Sequence, residues 1–422
     1  IPDRTLVWRF VQDHINKDLF FLATEFGIYT SLDAGNNWQK LPGTPTISFR
    51  DIVIQEREND LVGASFGRGF FVLDDYSALR EMTMENLSKK GKLFKPRDAK
   101  LFKPRNSLGN TGGQFYVAKN PTYGAVFTYH LKDMPKTSKS LRIQSERKLN
   151  SDKEDVPFPG YEALSDETNE KPASIILTIT DSEGNHIRNV KKNASNGSGR
   201  IAWNLRHKSY YPVRAGRAQS NRWWNPSGPY VTPGQYTANL YLENNGSLEK
   251  LDGPVEFNVK PLRAGTLEGS SHEEYNSFRE RISSLYIEMS KYQDEFNMME
   301  NKVQLLEKAS MQLEEFSPEL MKKISDFKAK YIAFDSETNG NNARSEIGEW
   351  DKVTISTRVQ IAMQGLSTSY GPTDLNKSNL EIAEKLFKKL AADVKMFKSE
   401  LETIENEVKE LNPPHLSGTG IN

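Results

Sequence analysis

Hydrophobic and polar residues follow two different rhythms along this chain, and the change of rhythm divides it. In residues 1–80 the apolar positions come in short runs, at 19–24, 28–31, 38–41, 50–55, 61–65 and 70–73, bounded by Gly, Asn and Asp. Runs of that length, rich in Val, Ile, Phe and Tyr, predict all-β structure. Residues 92–262 have the same texture, with strands expected at 125–131, 174–180, 200–205, 235–242 and 255–259. A stretch dense in Lys, Ser, Glu and Asp, 132–171, interrupts them. It is expected to be a mobile insertion, with too little apolar content to order itself.

From Tyr275 the period lengthens. Phe278, Ile282, Leu285, Met289, Tyr292, Phe296, Met299, Val303 and Leu306 follow in steps of three and four, which is a heptad seam. A second seam runs Leu380, Ala383, Phe387, Leu390, Val394, Phe397, Leu401, Ile404, Val408 and Leu411, and Pro413-Pro414 cannot continue it. Their equal lengths predict an antiparallel α-helical hairpin or bundle over 268–415. Ser317-Pro318-Glu319 has the cap and first-turn proline of a helix start. A further helix is expected over 353–366 and a loop over 337–349.

Composition narrows the function classes. The 422 residues carry 56 Lys plus Arg and 56 Asp plus Glu, so there is no net basic field to gather nucleic acid. With no cysteine there is no disulfide and no thiolate site. No apolar run approaches the ~18 residues of a transmembrane segment. Ile1-Pro2-Asp3-Arg4 has neither an initiator Met nor the look of a signal peptide, and reads as a processed or truncated end.

The most informative motif is Ser31-Leu32-Asp33-Ala34-Gly35-Asn36-Asn37-Trp38. Asp33 is placed to accept hydrogen bonds from the turn's own amides, Gly35 to take a positive φ, and Trp38 to pack between sheets. The motif resembles the Asp-box of sialidase-like and sortilin-like β-propellers, with Asn37 where Thr is usual. The flanking residues 21–29, 50–54 and 67–75 are similar to the closing blades of bacterial BNR-repeat proteins, often labelled glycosyl hydrolases. That resemblance implies blades of a partial propeller over 1–80, and a secreted, periplasmic or outer-surface location in a bacterium. In 92–262, the run Ile175–Asn185, Trp203 and Pro233-Gly234-Gln235-Tyr236-Thr237 resembles an immunoglobulin or fibronectin type III sandwich.

Two groups of residues are candidates for function. Glu25, Arg68, Asp74 and Asp75 fall near expected blade edges, where paired carboxylates and an arginine would work on a sugar. Tyr210, Tyr211, Arg214, Arg217, Arg222, Trp223, Trp224 and Tyr230 mix aromatics with arginine, as carbohydrate faces and protein hot spots do, or as residues packing the sandwich onto a neighbouring part do. Other signals fail on context. Gly63-Ala64-Ser65-Phe66-Gly67 spells a nucleophile elbow, but a strand-like run follows where a helix is needed. The six histidines, including His14, His130 and His415, are scattered and suggest no metal site; no cofactor motif is present.

These readings combine into a multidomain chain of propeller blades, sandwich and helices, whose expected work is binding and assembly with a protein partner or with the remaining blades. The alternative is a sialidase-like glycoside hydrolase acting on carbohydrate with an active site mainly in other blades. Two blades cannot close a ring, so faces carrying Phe20, Leu22, Ile52, Ile54, Phe71 and Leu73 are expected to lie open.

Overall fold

The first seven strands form two antiparallel sheets in the computed structural model, which describes residues 1–104, 118–213 and 228–413. The first sheet is the meander β1 (Val7–Gln12), β2 (Phe20–Thr24), β3 (Gly27–Ser31) and β4 (Gln39–Lys40); the second is β5 (Phe49–Gln55), β6 (Asp60–Ser65) and β7 (Gly69–Leu73). They share a core of Phe21, Ala23, Ile28, Phe49, Ile52 and Leu61. Gly63 makes the approach possible, since a Cβ there would come within 2.9 Å of Ile28 and Phe49.

The faces expected to lie open are closed. Leu22 and Ile52 are buried and Phe20, Ile54, Phe71 and Leu73 half-buried; Ile52, Ile54, Phe71 and Leu73 pack in the core that the two sheets share, while Phe20 is covered by Phe10 and Trp38 of its own sheet. The open face is the opposite one on the second sheet. There Val53 pairs with Val62 and Val62 with Val72, while Ala64 pairs with Phe70.

A 3-10 turn (Ser77–Glu81) and a short helix α1 (Met84–Ser88) lead into a second pair of sheets. Strands β8 (Gly91–Leu93), β9 (Ala99–Leu101) and β10 (Ala125–Leu131) come before the polar insertion, which forms helices α2 (Ser138–Asp152) and α3 (Tyr161–Asn169). The insertion is therefore ordered, contrary to the composition argument. Neither helix buries a residue; instead Arg142 grips Glu167 through Nε and Nη2 at 2.7 and 2.8 Å and Glu146 at 2.6 Å. Strands β11 (Ser174–Asp181), β12 (His186–Asn193), β13 (Gly197–Trp203), β14 (Gly234–Asn244) and β15 (Ser247–Pro261) complete the pair. The sheets run β13-β10-β8 and β12-β11-β14-β15-β9, the last pair parallel. Register shifts in β14–β15 bend the larger one, which curls. Between the two sheets, Phe127 meets Phe257 edge-on at 5.1 Å and Trp203 meets Tyr236 at 5.4 Å.

All of this belongs to one compact unit, 1–207 with 233–263; residues 208–232 and 264–422 form another. The second unit is built from α4 (His272–Ser310), α5 (Pro318–Asn339), α6 (Asn342–Glu346), α7 (Ile355–Gln364) and α8 (Asp374–Glu410). Ser271, Ser317 and Thr373 cap α4, α5 and α8, and Pro318 opens α5 as the sequence predicts. Of the loop expected over 337–349, α5 takes the first three residues and α6 five more, leaving 340–341 and 347–349 outside helices.

The two long helices are parallel, which corrects the antiparallel expectation. Four ion pairs, Glu274–Lys377, Arg281–Glu384, Glu295–Lys398 and Lys302–Glu405, each join a residue to the one 103 positions later. Such a constant offset arises only between helices running the same way. The return path is α5 and α7, both antiparallel to α8. Lys323 bonds Glu407 and Lys330 bonds Glu400, while Arg358 bonds Asn379 and Asn376 bonds the Ile361 carbonyl. The unit is thus an up-down-up bundle whose descending arm is broken between α5 and α7. The seams are buried above and below the break, in two separate clusters. At the break Met289, Tyr292, Phe387 and Leu390 are only half-buried, beside a groove of about 190 Å3.

Candidate functional site

The Asp-box residues form a self-contained turn between β3 and β4. Asp33 Oδ1 accepts from the Asn37 amide and the Ser31 hydroxyl, both at 2.8 Å, and the Ser31 hydroxyl accepts from the Gly35 amide at 2.8 Å. Asn37 replaces the usual Thr productively, its side-chain amide reaching Asp33 Oδ2 at 2.6 Å. These bonds, led by the Asn37 amide, hold the Asp33 carboxyl below its ordinary range. Gly35 sits at φ 88° against the Phe20 and Trp38 rings. Trp38 is half-buried on Phe20, 6.3 Å away within its own sheet, rather than wedged between sheets as expected.

Of the four charged candidates, two share a cleft and two do not. Glu25 accepts from the Leu6 amide at 3.2 Å in the β2–β3 turn, and Arg68 is exposed at the tip of the β6–β7 turn. Asp74 and Asp75 follow β7 and wall a cleft of about 460 Å3. Its floor is the outward row of β10 and β13, where Val126 pairs with Ala202 and Thr128 with Arg200. Arg200 Nη2 donates to the Asp74 and Asp75 carbonyls at 2.6 and 2.8 Å, tying the segment down over the floor. Arg97 on the rim bonds Glu58 at 3.0 Å. Burial, then repulsion from Asp60, pushes the Asp74 carboxyl above its ordinary range against the pull of Arg200 and Arg97. The Asp75 side chain is engaged locally, accepting from Ser77.

Tyr210 and Tyr211 belong to the helical unit and rest on Tyr286 of α4, 5.2 and 5.0 Å from its ring, stacked on each other at 5.1 Å. Burial raises the Tyr211 phenol. The Tyr230 carbonyl accepts from Tyr275 at 3.1 Å. Arg214, Arg217, Arg222, Trp223 and Trp224 lie outside the described residues, as does His415. Ser65 lies on β6, its hydroxyl donating to the Gly69 carbonyl at 2.9 Å, in a strand-turn-strand setting.

Sequence reasoning missed two features. One is a cation stack: the Arg50 guanidinium lies 3.7 Å from the Trp8 ring centre and 4.9 Å from that of Phe66. Phe10, Val53, Phe70 and Val72 are also exposed, Phe70 to 78%. The short apolar run at 70–73 signalled a strand, but not that one of its faces would be exposed and apolar. The other is the buried group Asp13, Tyr76 and Arg80, brought together from 67 positions apart. Among the described residues no group of His, Cys, Asp and Glu could hold a metal, and no helix is long and apolar enough to cross a membrane.

No family model and no curated protein matches the chain. Among solved structures it is similar to the extracellular domain of a putative one-component system from B. thetaiotaomicron. The identity is 13% over 62% of this chain and 26% of that one, at a TM-score of 0.15. The chain therefore spans about a quarter of the length of that protein, and the likeness carries no argument about fold or function.

Proposed function

We propose that this chain is a non-catalytic binding and assembly protein of the bacterial envelope or secreted space. In this reading the first two sheets are neighbouring β-propeller blades of the Asp-box kind, and the paired sheets after them an immunoglobulin-like sandwich. The observation that carries it is the open face of the second sheet. Val53, Val62 and Val72 form a cross-strand row beside Phe70, next to the Trp8–Arg50–Phe66 stack. Large apolar faces on a soluble fold mark surfaces that are covered in use, and Trp, Arg and Phe are the residue types that dominate interface energies. The buried face of the same sheet gives the template for the occupant, another antiparallel sheet stacked face to face. The one Asp-box charge, Asp33, serves its own turn, which suits scaffold rather than chemistry. A hydrolase reading has less support, since Glu25 and Arg68 do not join Asp74 and Asp75 in one cleft.

The test is the solution state of the chain and of a Phe70→Lys, Val72→Lys double variant. The native chain should bind a hydrophobic dye and self-associate with rising concentration, and the variant should do both less while keeping its circular dichroism. A monomeric native chain that binds no dye would overturn the proposal.

A further inference from the structure

The cleft over the β10–β13 floor is chemically unlike the apolar face, and its hydrogen-bonding inventory is lopsided. Arg200 uses only Nη2 on protein, for the Asp74 and Asp75 carbonyls. Its Nε and Nη1 hydrogens make no bond among the described residues, leaving three donors on a half-buried guanidinium. Lys192, bonded to the Arg200 carbonyl at 2.7 Å, adds a second cation to the same wall. The same cleft is lined by Asp74, whose carboxylate accepts no hydrogen bond from any described residue, whereas that of Asp75 is taken by Ser77. The floor is small and aliphatic, Val126 and Ala202, with the Thr128 hydroxyl beside Arg200.

We propose that this cleft binds a small carboxylate bearing an adjacent hydroxyl or ammonium donor, the anion held by Arg200 and Lys192 and the donor by Asp74. With Nη2 fixed by two backbone carbonyls, the guanidinium offers a carboxylate oxygen single charge-assisted bonds from Nε or Nη1. A plain carboxylate would leave Asp74 unanswered and set like charges side by side, and a plain polyol would leave the arginine unanswered. The preference for a molecule with both groups follows from those two costs. The volume of about 460 Å3 suits a metabolite-sized molecule rather than a polymer.

The experiment titrates the intact chain with malate, with aspartate and with succinate, following amide shifts of Thr128 and Ala202 by NMR and heat by calorimetry. Malate and aspartate are the hydroxy-acid and amino-acid arms, and succinate lacks the donor. The expected result is saturable binding of at least one of the first two, about tenfold or more tighter than succinate. Asp74→Asn should weaken the bound ligand about tenfold and leave succinate unchanged or tighter. Arg200→Gln should weaken all three, and because it also frees the covering segment, its fold is checked by circular dichroism. Absence of saturable binding, equal affinity for succinate, indifference to Asp74→Asn, or shifts confined to other residues would each overturn the inference. The outcome is independent of the apolar face, so failure here leaves the assembly reading standing.

Discussion

Arg80 holds Asp13 bidentately along one edge of its guanidinium, Nε to Oδ2 and Nη2 to Oδ1, each at 2.8 Å. Asp13 is almost wholly buried and Arg80 nearly so, and the same carboxylate accepts from the Tyr76 hydroxyl at 2.5 Å and the Asn16 amide at 2.6 Å. Burial by itself would raise the Asp13 pKa. The bonds from Arg80, Asn16, Tyr76 and Ile15 together outweigh it and hold the carboxyl far below its ordinary value. Burial and the neighbouring carboxylate push the Tyr76 phenol up.

Asp13→Asn should be strongly destabilising, on the order of 3–5 kcal/mol, because it leaves the Arg80 charge buried without a counter-charge, with only the neutral Asn59 oxygen beside it. A folded-state pKa below the unfolded one means that stability from Asp13 is complete above the ordinary aspartate value and lost as pH falls below it. Denaturant midpoints measured at neutral pH and in acid should therefore converge for native and variant chains as the pH drops. A difference that stays constant would assign the loss to packing instead.

Asp74 works in the opposite sense. Its pKa is raised in the folded chain, so the ionised form opposes folding at neutral pH and the penalty fades as pH falls through the raised value. Asp60 and Asp75 strengthen that penalty while Arg200 and Arg97 reduce it. Asp74→Asn should raise the melting temperature at pH 7 and have no effect in acid, as scanning calorimetry at both pH values would reveal.

The parallel course of α4 and α8 is open to cross-linking, since the native chain has no cysteine. A Cys pair at Arg281 and Glu384, or at Lys302 and Glu405, should be joined rapidly by a short bifunctional maleimide. A pair at Arg281 and Glu405 should not. The reverse pattern would restore the antiparallel arrangement.

Phe397 touches both Phe334, at 4.9 Å, and Phe327, at 5.8 Å, and is 7% exposed. Phe397→Ala should cost about 3–5 kcal/mol. Trp38→Ala, at a half-buried ring, should cost clearly less, and urea unfolding of the two variants gives the comparison.

Much of the bundle was legible from periodicity, because residues such as Ile282, Val303, Ala383 and Val408 recur at heptad spacing whatever their partner. Direction was not, since a seam reads the same from either end, and only the weaker pattern of α5 and α7 reveals the return path. The insertion at 132–171 misled because apolar content was the criterion, while Arg142 orders it through two carboxylates. The Asp-box was readable since its partners lie within four residues of Asp33. Asp74 is legible as a candidate, but its partner Arg200 escaped notice for the converse reason, 126 positions separating them.

Running α4 and α8 the same way has an electrical consequence. Each helix carries the equivalent of roughly half a positive charge at its start and half a negative charge at its end. Two aligned dipoles therefore place like poles together, and α5 and α7 oppose them only along part of their length. The sequence answers at both poles: Glu273, Glu274 and Asp374 occupy the first turns, and Lys308 and Lys409 the last. Glu274 also pairs with Lys377 of the other helix, which pulls its carboxyl below the ordinary range. The bundle behaves as a bar magnet fitted with keepers, so added salt should loosen its two ends before it disturbs the middle.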